Sequence, residues 1–271
     1  MKNKLFNVIV ALTVAFSLSL YFSNCTKNET INKDVSKIEK YNDAFRKLGE
    51  RHNQCLDYVA ENGDVSIMSR KERFELARKF FNSNTTWEEH ETRNASIMQI
   101  VTESTSASNL LRESKNERHS DEFLTLIDKL ESILNETKAS WEKDIEISPT
   151  EFNAKINSLI DEVYQDYDVI YDDKSQTVNE FGYFIAGCNI AKSTYQYWHD
   201  ANNDPQNPWY NYLREAKVPK FFRWIAVAAV DVWGFITSAD VDITWNDGFS
   251  VTVSFDLNEA LENAGEASSS V

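Results

Sequence analysis

The sequence predicts a mainly α protein: a multi-helix bundle of amphipathic helices with a small C-terminal β-hairpin. Three observations carry that expectation. Apolar residues recur at alternating steps of three and four over most of residues 36–200, the period of one helix face. Helix-capping signatures punctuate those runs. Near the C-terminus the apolar period drops to two on both sides of an Asp-Gly pair, the mark of a hairpin. A chain of 271 residues that is 42% hydrophobic can build a sizeable core, and only 7 Gly and 4 Pro argue against a turn-rich sandwich or a disordered chain.

Residues 1–24 read as a signal peptide. Lys2 and Lys4 make a positive start, Leu5 to Leu20 are apolar except for Asn7, Thr13, Ser17 and Ser19, and no Ala-x-Ala cleavage site follows. The run ends in Tyr21-Phe22-Ser23-Asn24-Cys25. That junction resembles the relaxed lipobox of Bacteroidetes and spirochaete lipoproteins, with Phe22 where Leu is usual and Asn24 where Gly, Ala or Ser is usual. The resemblance implies cleavage before Cys25, acylation of its thiol, and residues 25–35 as a lipidated tether. Thr26 after the cysteine, rather than Asp, implies sorting to the outer membrane, on its periplasmic face or at the cell surface. An uncleaved anchor helix is the alternative, since the apolar run is close to the roughly 17–20 residues that span a bilayer. Several acyl chains anchor stably where one binds only marginally.

From residue 36 the helices follow in order. Ile38, Tyr41, Phe45, Leu48, His52, Cys55 and Val59 form the first inward stripe, and Asn62-Gly63-Asp64 stops it. Ser69-Arg70-Lys71-Glu72 is a capping box for a helix through Phe74, Ala77, Phe80 and Phe81. Thr86-Trp87-Glu88-Glu89 opens another, with Trp87, His90, Asn94, Ile97 and Val101 inward. After a Ser-rich break at Thr102–Ser108, Ser120 caps a helix through Phe123, Ile127, Leu130, Leu134 and Thr137. Ser148-Pro149-Thr150-Glu151 starts the next, with Phe152, Ile156, Leu159, Val163 and Ile170 inward. Thr177 is expected to begin a helix through Phe181, Phe184, Cys188, Ala191, Tyr195 and Trp198.

Residues 201–271 form an aromatic-rich region expected to pack on the 36–200 bundle. Asn202–Trp209 is a loop, Pro219 starts an apolar helix over Phe221–Ile236, and two strands flank Asn246-Asp247-Gly248. A lone hairpin is barely stable in water, so it needs a surface to pack on. Asp256 caps a short last helix, and Gly265–Val271 read as a frayed tail. Within the apolar helix Asp231 needs a partner, and Arg214 and Arg223 are the nearest basic residues in sequence.

The chain carries 28 basic and 43 acidic residues, a net charge of −15, and losing Lys2 and Lys4 with the leader makes it two charges more negative. Such a polyanion repels phosphate backbones, so no nucleic-acid partner is expected. No serine-hydrolase elbow, phosphate loop or Cys-x-x-Cys occurs, and neither does Glu-x-x-His or His-Glu-x-x-His. The candidate metal ligands are His52, Cys55 and His90, because a bundle interior can host a metal; the alternative is core histidines satisfied by hydrogen bonds. No cofactor is expected. An envelope compartment permits a Cys55–Cys188 disulfide, against two buried thiols acting as small hydrophobes. Tyr195, Trp198, Trp209, Tyr210 and Trp245 are the candidate binding surface for an envelope protein or glycan, since rings supply contact area.

The series Ala191, Ser193, Tyr195, Tyr197-Trp198, Pro208-Trp209, Arg223-Trp224, Ala228-Ala229 and Asp231 loosely resembles the C-terminal halves of uncharacterised Bacteroidetes lipoproteins, over residues 180–240. That resemblance implies no particular activity. The expected function is a lipid-anchored envelope protein with a binding or structural role and no catalysis. The alternatives are a metal-dependent envelope enzyme using His52, Cys55 and His90, and a membrane-active protein using the apolar helix 219–239.

Overall fold

The computed structural model describes residues 37–103, 106–113, 119–141, 143, 145–215, 223–236, 241–246 and 250–269. The leader, Cys25 and the tether, the start of the apolar helix before Arg223, and the hairpin turn lie outside the described residues. The chain divides into two compact units, Met1–Ala44 and Phe45–Val271. In the first, residues 37–44 are helical, and the Lys37 ammonium sits 5.5 Å over the Tyr41 ring.

The second unit is mostly helical with a small antiparallel sheet. In this unit the first helix, α1, covers 45–61 and contributes Phe45, Leu48, His52, Cys55, Leu56 and Val59 to the core. Helix α2 spans Arg70–Phe81. Ser69 closes its capping box with Glu72, and Asn82 ends it in the left-handed conformation at φ 58°. Helix α3, Trp87–Glu103, starts at the Thr86–Glu89 pair, whose backbone and side-chain groups bond reciprocally. Helices α4 (Ala107–Glu113) and α5 (Asp121–Trp141) follow, the latter capped by Ser120. Helix α6, Pro149–Asp166, uses Ser148 as cap and Pro149 where no backbone donor is needed. Helix α6 ends before Ile170, which is therefore 51% exposed and not part of the inward stripe.

Strands β1 (Tyr171–Asp172) and β2 (Thr177–Val178) come next, where the apolar period predicted the start of a helix. Helix α7, Glu180–Asn203, begins only after Asn179, whose side chain accepts from the Gly182 N–H. Gly182 to Ala191 are buried without a break, so this first part of α7 is enclosed by other elements, while Gln196 and Asp200 further on are exposed. Helix α8 spans Trp209–Glu215 and α9 spans Arg223–Ile236. Strands β3 (Val241–Asn246) and β4 (Ser250–Asp256) pair antiparallel with Trp245 opposite Val251. Strand β4 also pairs with β2, through Val178 opposite Phe255, giving the order β1-β2-β4-β3. The hairpin thus gains a sheet partner almost eighty residues upstream, which local patterning has no means of announcing.

Helix α10, Leu257–Ser269, corrects the expectation of a frayed tail. It packs against α9, α2 and α3, and Ala260, Leu261, Ala264 and Ala267 are buried. Small residues allow the close approach. A Cβ on Gly234 of α9 would lie 3.2 Å from the Ala267 Cβ, and one on Gly265 would lie 2.5 Å from Phe81 Cε2. Helix α7 in turn packs on α9, α6, α5 and α8, and meets α1 where Gly49 touches Ser193.

Candidate functional site: a buried polar cluster

Where α1, α7, α9 and α10 meet, the core is not apolar. Asp231 of α9 is fully buried and accepts a 2.9 Å hydrogen bond at Oδ2 from Trp198 Nε1 of α7. His52 Nε2 of α1 lies 3.8 Å from the same oxygen. Of the sequence-adjacent bases, Arg214 is engaged elsewhere. Arg214 lies over the Tyr210 ring at 4.2 Å, and the side chain of Arg223 is outside the described residues. An indole N–H is a good partner for a buried carboxylate because it supplies a donor without bringing a second charge to desolvate.

Burial pushes the His52 pKa down to about 4, partly offset by hydrogen bonds with the Asn53 side chain and the Ala264 backbone. His52 is therefore a neutral imidazole at pH 7. Cys55 follows one helical turn on, and burial, then the charges of Glu266 and Asp231, push its thiol well up. Glu266 of α10 is also fully buried. Burial pushes its carboxyl up to about 7, against the Ser83 and Thr85 hydroxyls and the Arg93 guanidinium, which favour the charged form, while Glu262 opposes it.

His90 belongs to a different neighbourhood. Its Nε2 is 3.0 Å from Asn94 Nδ2, and its ring lies against Phe74 at 4.5 Å and Trp87 at 5.2 Å. Burial, with the charges of Arg70 and Arg93, holds its pKa down at about 4. His52 and Cys55 thus share one cluster and His90 faces another set of groups. Among the described residues no group of three or more His, Cys, Asp or Glu side chains is placed to hold a metal ion. Cys55 and Cys188 are both free thiols, buried in different helices, and burial also pushes the Cys188 thiol up.

The aromatic residues read as a binding surface are mainly interior. Tyr195 is 1% exposed, stacks on Phe152 at 4.0 Å and donates to the Ile147 carbonyl. Trp198 and Trp209 are buried and meet edge to face at 5.3 Å. Only Tyr210 is part-exposed; Trp245 has its backbone in β3, and its side chain is outside the described residues. Tyr195 and Trp198 turn inward because their polar ends find buried acceptors, the Ile147 carbonyl and Asp231, which frees the whole ring for packing, whereas Trp209 is held by ring contacts.

Helix α9 is likewise committed. Ala228 to Ile236 are all buried, against α7, α10 and α3, and among the described residues no helix is long and apolar enough to cross a membrane. Glu266 is the member of the cluster that the sequence reading passed over. Its signal was the run Ala260, Ala264, Gly265 and Ala267, small residues at helical spacing that bracket Glu266. What the cluster does chemically is bind its own helices together: its imidazole is neutral, its thiol protonated, and its members are closed off from solvent. No protein-family model matches the chain, and no curated protein or solved structure matches it either.

Proposed function

We propose that this chain is a lipid-anchored protein of the bacterial outer membrane with a binding or structural role, a helical bundle carrying a hairpin, and no catalysis of its own. The observation that carries the reading is the enclosure of every group the sequence offered for chemistry. His52, Cys55, His90 and Cys188 are buried, the two histidines held neutral and the two thiols held protonated. A general base or nucleophile must reach its substrate and be near its working protonation state. None of the four reaches solvent, the thiols are in their unreactive form, and imidazoles with pKa values near 4 are weak proton acceptors at neutral pH. The anchor rests on the leader and on Cys25, and the cargo at its end is the compact unit Phe45–Val271.

Fractionation of cells fed labelled palmitate tests the anchor. The wild-type chain takes up label and sediments with the outer membrane, and Cys25→Ser loses both the label and firm sedimentation. Sedimentation of the Cys25→Ser chain as tightly as wild type, without label, would refute the lipid anchor.

A further inference from the structure

The α1–α2 junction carries a cleft of about 870 Å³ between residues 62–68 and the outward face of α2. Its charge runs against that of the chain. Three basic residues, Lys71, Arg78 and Lys79, line it together with two acids, Glu72 and Glu75, in a protein of net charge −15. Both acids are already engaged. Glu72 accepts from the backbone and hydroxyl of Ser69 at 2.7 Å, and Glu75 accepts from Arg78 at 2.8 Å and 3.1 Å. Lys71 and Lys79 are exposed, and among the described residues neither forms an ion pair. Two ammonium groups thus line the cleft without an ion pair of their own, beside two carboxylates that are hydrogen-bonded elsewhere.

The apolar side of the cleft is held ready. Met68 and Leu76 line it, and Ile67, next to Met68 in the chain, is 82% exposed. The turn that displays Ile67 is fixed from within. Asp64 accepts from the Ser66 N–H and hydroxyl, and its carbonyl accepts from the N–H groups of Ile67 and Met68. From below, the buried Arg73 donates to the Met68 carbonyl at 2.6 Å, and its guanidinium lies 4.6 Å from the centre of the Tyr212 ring. A solvent-exposed isoleucine on a fixed turn costs little further ordering when a partner covers it.

We infer that this cleft docks an acidic peptide segment of a partner protein, whose carboxylates meet Lys71 and Lys79 and whose apolar side chains cover Ile67, Met68 and Leu76. Charge complementarity selects an acidic occupant, and the concavity selects a chain over a bilayer surface, which would meet a protruding site. The inference rests on the binding role proposed above and names the partner's chemistry; it does not depend on lipidation of Cys25, which is read by a different measurement.

The test is fluorescence anisotropy of the full chain in non-ionic detergent with a short labelled peptide of glutamate and leucine, against a lysine-and-leucine peptide of the same length. Vesicles of phosphatidylglycerol serve as a third probe. The acidic peptide alone is expected to bind. Lys71→Gln with Lys79→Gln weakens it about tenfold or more, Ile67→Ser weakens it independently, and salt at about 0.5 M weakens wild type more than the double glutamine variant. Circular dichroism of each variant establishes that it is folded. Failure of the acidic peptide to bind, equal binding by folded variants and wild type, or binding to the vesicles in place of the peptide would each overturn the inference.

Discussion

Trp198 Nε1 donates to Asp231 Oδ2 at 2.9 Å with both side chains fully buried, joining α7 to α9 through the middle of the core. The carboxylate has given up water for this donor, and His52 Nε2 is too far, at 3.8 Å, to replace it. Removing a donor from a buried carboxylate costs part of what replaced its water. Trp198→Phe is accordingly expected to lower the free energy of unfolding by about 1–3 kcal/mol. Asp231→Ala with Trp198→Phe should cost less than the sum of the single changes. Urea denaturation of the three variants checks both statements.

At Gly265 the α2–α10 contact is set by the absence of a Cβ, which would lie 2.5 Å from Phe81 Cε2 and 3.3 Å from Cys55 Sγ. Gly265→Ala improves helix propensity by about 1 kcal/mol, yet overpacking costs about 1–3 kcal/mol. The net result is expected to be destabilising. Phe81→Leu in the same chain should recover part of the loss, which thermal unfolding of the double variant would show.

The dependence of stability on pH has two opposed sources. His52, His90 and His119 are each held down at about 4 by burial, so their contribution is complete above the unfolded value of 6.5 and is lost as pH falls through 4. Glu266 is pushed up to about 7 from 4.5. Its contribution is complete below 4.5 and is lost as pH rises through 7. Three histidines outweigh one carboxyl, so unfolding free energy should rise between pH 4 and 6.5. Glu266→Gln removes the opposing term, and its advantage over wild type should grow with pH to at most about 3 kcal/mol above pH 7. Denaturation midpoints measured across this range check the sign.

The two core thiols offer a simpler assay. Cys55 and Cys188 are buried and free, and burial pushes both pKa values up. The thiolate is the reactive species, so native protein should be inert to a thiol reagent. In denaturant both cysteines should react, without prior reduction.

Those inward groups mark where the sequence was legible. The α1 stripe from Phe45 to Val59, the Ser69–Glu72 box and the Ser148-Pro149 start are local patterns, and each has its counterpart in a buried face or a capping bond. The pairing of β2 with β4, the burial of α10 and the Trp198–Asp231 bond join residues tens of positions apart. Thr177-Val178 is apolar enough for either period, and only β4 alongside makes it a strand. Alanine and glycine in α10 carry little hydrophobic signal, but they fit the groove beside Gly234. The binding-surface reading of Tyr195, Trp198 and Trp209 erred for a related reason: an aromatic residue in sequence looks the same whether its polar end meets solvent or Asp231.

The anchor is tested most directly by mass spectrometry of the mature N-terminus from envelope-extracted protein. The expected result is a first residue Cys25 carrying a diacylglycerol thioether and an amide-linked acyl chain. A terminal peptide that begins at Met1, or one that contains Cys25 without lipid, would contradict the lipid anchor outright.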